Sequence, residues 1–245
     1  MRIEYGIRSD RGKVRTSNED ACIASAESGM FLVADGMGGH AAGEVASQIA
    51  ASTIEEIISG ANRELNPEVL LRRAVEQANR RVYEAQMLKR EYRGMGSTLT
   101  VLTLRKNRYY IAQVGDSRAY VLRNGILDQQ TQDHSLVWPL YKSGELRKED
   151  ISRHPQKNFI TRSIGTYPQV EADFKKGDAQ EGDIFLLCSD GLTDVLSDQD
   201  ILEVLSDNSK NPQQSSDRLI DAANRAGGPD NITAVVVSLI PDKSF

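Results

Sequence analysis

Five short acidic segments carry the residues that could do chemistry: Arg15-Thr16-Ser17-Asn18-Glu19-Asp20, Asp35-Gly36-Met37-Gly38-Gly39-His40, Gly115-Asp116-Ser117-Arg118, Ser189-Asp190-Gly191 and Pro229-Asp230-Asn231. Each lies at the mouth of an apolar run. Any one Asp-Gly step reads as an ordinary turn, because both residues favour turn geometry. As a set they read differently, since strongly apolar strands would carry their end residues to a shared rim. Two unit charges about 4 Å apart at an effective dielectric near 20 repel by roughly 4 kcal/mol, so converging carboxylates need a cation to stay ionised together. Oxygen donors without a cysteine or paired histidines at metal spacing favour Mg²⁺ or Mn²⁺ over Zn²⁺. Neither Cys22 nor Cys188 sits in an electropositive loop, and there is no Gly-x-Ser-x-Gly elbow, so no protein nucleophile announces itself.

The elements that must position these segments are mostly strands. Runs rich in Val, Ile, Leu, Tyr and Phe occur at 3–9, 21–25, 30–34, 99–104, 109–114, 119–122, 184–188 and 232–239. Asn124-Gly125 between two such runs predicts a type I′ hairpin. Two helices interrupt the first strands, one over about 43–59 with Val45, Ile49, Ala50, Ile57 and Ile58 on its apolar stripe, and one beginning at the Asn66-Pro67 start signal. Two more are expected over 198–206, with Ser197 and Asp200 as a capping box, and over 213–226, ending at Gly227-Gly228. Strands in groups separated by helix pairs predict an α+β fold: two antiparallel sheets face to face, flanked by pairs of helices in four αββα layers. Residues 1–245 read as one domain, with a flap over about 136–168 where the strand pattern lapses into short helices and turns.

Composition narrows the partners. Hydrophobic residues make up 39% and charged residues 27%, ordinary for a folded protein, and the net charge of −5 argues against nucleic acid. No run approaches the roughly 20 apolar residues of a membrane span, and the first residues lack a secretory pattern. The protein is expected to be cytoplasmic, with no membrane partner, its two cysteines being free buried thiols. The pairs Arg72-Arg73 and Arg80-Arg81 are expected on a solvated helix face.

In this order the five segments resemble the bacterial branch of the type 2C, or PPM, family of metal-dependent protein serine/threonine phosphatases. The likeness covers nearly the whole chain and includes Gly94-Met95-Gly96-Ser97-Thr98, Asp133-His134-Ser135 and His154-Pro155-Gln156-Lys157-Asn158 with Thr161, Arg162 and Gly165. The resemblance implies a binuclear Mn²⁺ or Mg²⁺ centre at one end of the sandwich. Asp35 would bridge the two ions, the Gly36 carbonyl would bind one, and Asp190 and Asp230 the other; Glu19 and Asp20 would act partly through water. Asp116, sharing Asp190, would hold a third ion, and Arg15 would bind the substrate phosphate. Phosphorylated proteins are then the partners, a cognate Ser/Thr kinase among them, acted on by a monomer.

The acid step turns on a departure from the family pattern. Many eukaryotic relatives carry a histidine directly after the Asp-Gly, where this chain has Met37. His40 is then the candidate acid, against a role bracing its glycine-rich loop and against water at the metals as donor. His134 and Ser135 are read as a local turn in preference to a substrate contact, and Trp138 as packing the flap onto the body. Two rival functions remain beside phosphoprotein hydrolysis. A catalytically silent phosphoprotein-binding relative should lack a metal carboxylate or the phosphate arginine, and all are present. A small phosphate-ester hydrolase finds no support from a Walker-type loop.

Overall fold

The structure, a computed structural model, describes residues 1–38, 41–62, 64–151, 153–207 and 211–241. Two antiparallel sheets pack face to face. One runs β1 (Arg2–Asp10), β11 (Ile232–Ile240), β10 (Ile184–Cys188), β7 (Arg118–Arg123) and β8 (Ile126–Gln129) in spatial order. The other runs β2 (Asp20–Ser25), β3 (Met30–Met37), β5 (Leu99–Arg105), β6 (Arg108–Val114) and β9 (Asp173–Asp178), with β4 (Gly96–Ser97) paired to the end of β3. Helices α1 (Ala41–Ser59) and α2 (Pro67–Leu88) cover the second sheet; α5 (Asp190–Thr193), α6 (Asp198–Leu205) and α7 (Pro212–Arg225) cover the first. The short helices α3 (Val137–Lys142) and α4 (Lys148–Ile151) lie between β8 and β9. The expected αββα layering is what the chain adopts.

The strands read as unbroken apolar runs because both of their faces are buried. On β3, Phe31 and Val33 join Val235, Val237 and Phe185 between the sheets, while Leu32 and Ala34 face the layer of α1 and α2. On β11 the same alternation sends Ala234 and Val236 toward Leu219 and Ile220 of α7. Burying each such side chain contributes about 1.5–3 kcal/mol. A core of this kind holds the strand ends in place, which matters because the acidic segments sit on them.

Local signals act where they were read. The side chain of Asn66 accepts from Glu68 N, and Ser197 with Asp200 forms a complete capping box. Asn211 and Gln214 form another at the start of α7, with Pro212 at its first turn. Asn124 and Gly125 take φ of 52° and 77°, the positive angles a type I′ turn requires.

Three expectations need correction. The buried stripe of α1 is Ala46, Ala50, Ala51, Ile54 and Ile58, whereas Val45, Ile49 and Ile57 are only partly covered; the alanines turn inward because they allow the helix to lie close to the sheet and α2. Strand β9 was not foreseen, since its Asp-Phe-Lys-Lys-Gly-Asp sequence carries the charges of an edge strand. Trp138 packs with Val137, Ile151, Tyr141 and Leu146, so it closes a small core within the flap segment itself.

Gly6 marks where β1 meets α7. A Cβ there would fall inside the backbone of Pro212 and Gln213. Gly6→Ala is expected to lower stability by about 3 kcal/mol, the upper range for overpacking, because backbone cannot step aside as a side chain can. A urea-unfolding midpoint unchanged from wild type would refute that close packing.

Candidate metal centre

The carboxylates meet at one end of the sandwich because strand register puts them there. Asp20 at the start of β2 lies directly opposite Asp35 on β3. The backbone of Asp35 is held on both sides: its N–H donates to Thr98 Oγ1 at 2.8 Å, and its carbonyl accepts from Thr98 N at 2.8 Å and from Ser97 Oγ at 3.0 Å. Gly36 N donates to Glu19 O at 3.2 Å, tying the first acidic segment to the second. A Cβ on Gly36 would strike the Gly43 carbonyl, and one on Gly43 would strike the Glu19 carboxylate, so both glycines allow the approach of α1 to this rim.

Three of these carboxylates carry buried oxygens with no hydrogen-bond partner: Asp20 Oδ1, Asp116 Oδ1 and Asp190 Oδ1. An orphaned buried acceptor costs about 1–3 kcal/mol, more when charged, so each calls for a partner. The other oxygen of Asp20 accepts from Ser189 Oγ at 2.8 Å and Thr233 Oγ1 at 2.6 Å, which fixes the carboxylate while its Oδ1 stays buried.

Electrostatics points the same way. Burial pushes Asp20 up to about 6 against the hydrogen bonds from Thr233 and Ser189. Burial, then the charge of Asp133, pushes Asp116 up to about 7. Asp35 and Asp190 are driven well above the carboxylate range, by burial first and then by neighbouring charges: Asp20 and Asp190 on Asp35, Asp116 and Asp194 on Asp190. Without a cation these groups oppose one another's ionisation.

Arg15, Glu19, Asp35, Asp190, Asp230 and Asn158 line one open cleft of about 380 Å³. Asp20, opposite Asp35, and Asp116, whose charge acts on Asp190, are buried, 6% and 7% exposed. Arg15 Nη2 donates to Asp230 Oδ2 at 2.7 Å, so the guanidinium and a carboxylate expected at the metals are paired directly. Among the described residues no three His, Cys, Asp or Glu side chains close around a single point. His40 lies outside the described residues.

Other residues support the site from a distance that sequence spacing does not reveal. Asn231 Oδ1 accepts from Glu19 N at 2.8 Å. His134 is no local turn: its N–H donates to Gly115 O at 3.0 Å and its Nδ1 accepts from Gly115 N at 3.2 Å, bracing the turn that presents Asp116. Arg118 lies buried against Asp133, with Nη2 to Oδ2 at 2.6 Å and Nε to Oδ1 at 3.0 Å. Lys157 pairs with Asp194 beside Asn158, fastening the flap segment to α5. Ser189, Asn231 and His134 all stood in the segments read from sequence, but only the fold gives them partners.

Fold and rim together define a helix-flanked β-sandwich whose end is an acidic, cation-seeking cleft. Residues 11–225 match the protein phosphatase 2C family, and the chain belongs to that family. It is 40% identical over 240 residues to the serine/threonine protein phosphatase PstP of Mycobacterium tuberculosis, spanning 97% of this chain but 45% of that protein. It is 37% identical to the serine/threonine phosphatase stp of Listeria monocytogenes, over 97% of this chain and 95% of that one. The crystal structure of the PstP catalytic domain in complex with two manganese ions superposes with a TM-score of 0.89 at 38% identity, covering 98% and 99% of the two chains.

Proposed function

We propose that the chain hydrolyses phosphoserine and phosphothreonine in proteins, using divalent ions held at this rim. The observation that carries the reading is the set of buried, unpartnered oxygens on Asp20, Asp116 and Asp190 beside a cleft that Arg15 enters. Asp35, Asp190 and Asp230, with the Gly36 carbonyl, would hold the two core ions; Asp116 with Asp190 would hold a third, and Glu19 and Asp20 would complete the set through water. Bound Mn²⁺ or Mg²⁺ supplies charge neutralisation and a nucleophile drawn from water near neutral pH.

The chain's own residues supply position. Arg15 aims its planar fork of donors into the cleft, where it can orient two phosphoryl oxygens, and Asp230 holds it there until substrate enters. Ser189 and Thr233 lock Asp20, while Ser97 and Thr98 lock the Asp35 backbone, so the acidic groups need little rearrangement. A protein thiol is a poor rival nucleophile: burial pushes Cys22 up to about 11 and Cys188 up to about 12. His40 stays the candidate acid for the leaving oxygen, with water at the metals as the competing donor.

Hydrolysis of an aryl phosphate and of a phosphothreonine peptide tests the reading, with Mn²⁺ and with chelator. Turnover is expected only with the metal, and equal rates in chelator would sink it. In the same assay Arg15→Ala is expected to raise KM about 10–100-fold, because a charge-assisted hydrogen-bond pair to the phosphate contributes about 1.5–3 kcal/mol. A fall in kcat at constant KM would remove Arg15 from phosphate binding.

Residues 1–245 are taken as one catalytic domain with the flap over 136–168. Among the described residues no helix is long and apolar enough to cross a membrane. The reading places the domain in the cytoplasm as a monomer, acting on phosphorylated proteins that include a Ser/Thr kinase; the free state of both cysteines supports a reducing compartment.

A further inference from the structure

The loop that brings Arg15 to the cleft carries more positive charge than one phosphate contact needs. Arg11, Lys13 and Arg15 fall within five residues of a chain whose net charge is −5. Residues 13–16 are all exposed, yet the backbone beneath them is tied down. Lys13 N donates to Gly228 O at 2.8 Å, and Asn231 Nδ2 donates to Arg11 O at 3.0 Å and Ser17 O at 2.8 Å, clamping the loop at both ends. Gly12, at φ 75°, presses so closely on the Asp230 carbonyl that no Cβ would fit.

The three cations have different employment. Arg11 returns to its own loop through Nη1 to Thr16 O at 3.4 Å, and Arg15 is held by Asp230. Among the described residues the Lys13 ammonium has no hydrogen-bond or ion-pair partner, and its neighbour Val14 is 69% exposed. Two residues of chain span at most about 7 Å, so the Lys13 and Arg15 backbones are that close, and the long Lys13 side chain has the reach to meet an anion one or two peptide residues from a phosphate held by Arg15. An exposed cation and an apolar side chain on a pre-ordered backbone can bind a ligand at the cost of side-chain ordering alone. The cation also offsets the repulsion that the acidic cleft exerts on an anionic peptide.

We infer that Lys13 and Val14, on the loop that leads to Arg15 at the cleft, form a substrate-reading surface selecting phosphopeptides with a second anionic group one or two residues from the phosphoresidue. The inference rests on the phosphatase reading above. Lys13 takes the anion, a carboxylate or a second phosphate, and Val14 packs on the intervening peptide.

The test uses the Mn²⁺-loaded protein, an aryl phosphate, and three phosphothreonine peptides differing only two residues from the phosphothreonine, where they carry Gln, Glu or phosphoserine; initial loss of the threonine phosphate alone is followed by mass spectrometry, because phosphoserine is itself a substrate under that reading. Wild type is expected to prefer Glu over Gln about threefold in kcat/KM, the range of an exposed ion pair, and phosphoserine over Gln about tenfold. Both preferences should vanish in Lys13→Gln and reverse in Lys13→Glu, with aryl phosphate turnover unchanged in either variant. A preference for phosphoserine alone assigns the surface to a second phosphate; a preference for both assigns it to anions generally. No preference in wild type, or the same preference in Lys13→Glu, overturns the inference while leaving the phosphatase reading intact. Absence of aryl phosphate turnover in wild type overturns that reading and this inference with it.

Discussion

Asp190→Asn is expected to lower Mn²⁺-dependent aryl phosphate turnover by at least about 100-fold, while the metal-free variant melts above the metal-free wild type. The two effects have one cause. Asp190 is half-buried and driven well above the carboxylate range, first by desolvation and then by Asp116 and Asp194, and its buried Oδ1 has no partner. A carboxyl whose folded pKa is raised ionises more readily in the unfolded chain, so at neutral pH it favours unfolding until a cation compensates it. Asparagine keeps the shape and removes that penalty, and each kcal/mol relieved raises the melting temperature by roughly 2–4 °C. It also removes the charge that would attract two ions. Calorimetric Mn²⁺ titration and melting with and without chelator separate the two terms. An apo melting point below wild type would mean that Asp190 stabilises the fold and is no dedicated ligand.

The second large effect falls on stability. Arg118→Met is expected to cost about 3–5 kcal/mol, because the Asp133 carboxylate, its side chain 5% exposed, loses the guanidinium that neutralises it. For a chain of this size that is a drop of roughly 6–20 °C in melting temperature. The double variant Arg118→Met/Asp133→Leu should regain more than half of the loss, since an apolar pair of similar volume can replace a buried ion pair. If the double variant is no more stable than the single one, the cost lies in the contact of Arg118 with Tyr120, whose hydroxyl accepts from Nη1 at 3.2 Å. Arg118 stands two residues from Asp116, so unfolding data are needed to tell lost folding from lost chemistry.

Arg118 also shows how far the sequence can be read. Gly115-Asp116-Ser117-Arg118 marked a functional segment, but nothing local distinguishes an arginine that touches substrate from one that neutralises Asp133 fifteen residues away. His134 is the same case: its partner is Gly115, across a hairpin, so a local-turn reading was the natural error. Trp138 was assigned to the body and packs within the flap segment, because burial alone does not say against what. The acidic residues were easier to find. Charge at the mouth of an apolar strand is costly wherever it occurs, and repeated cost is visible without a fold.

What the sequence determined by itself is therefore what short range controls. The Asn124-Gly125 turn, the caps at Asn66 and Ser197, and the strands whose two buried faces write unbroken apolar runs all follow from neighbours a few residues apart. So does the placing of acidic residues at the mouths of apolar strands. Only the tertiary structure decided which groups meet: Asp20 opposite Asp35, Ser189 and Thr233 on Asp20, and Arg15 on Asp230 across 215 positions of chain. Those contacts depend on sheet order and on how two twisted sheets stack, and no local preference encodes the distance between residues so far apart.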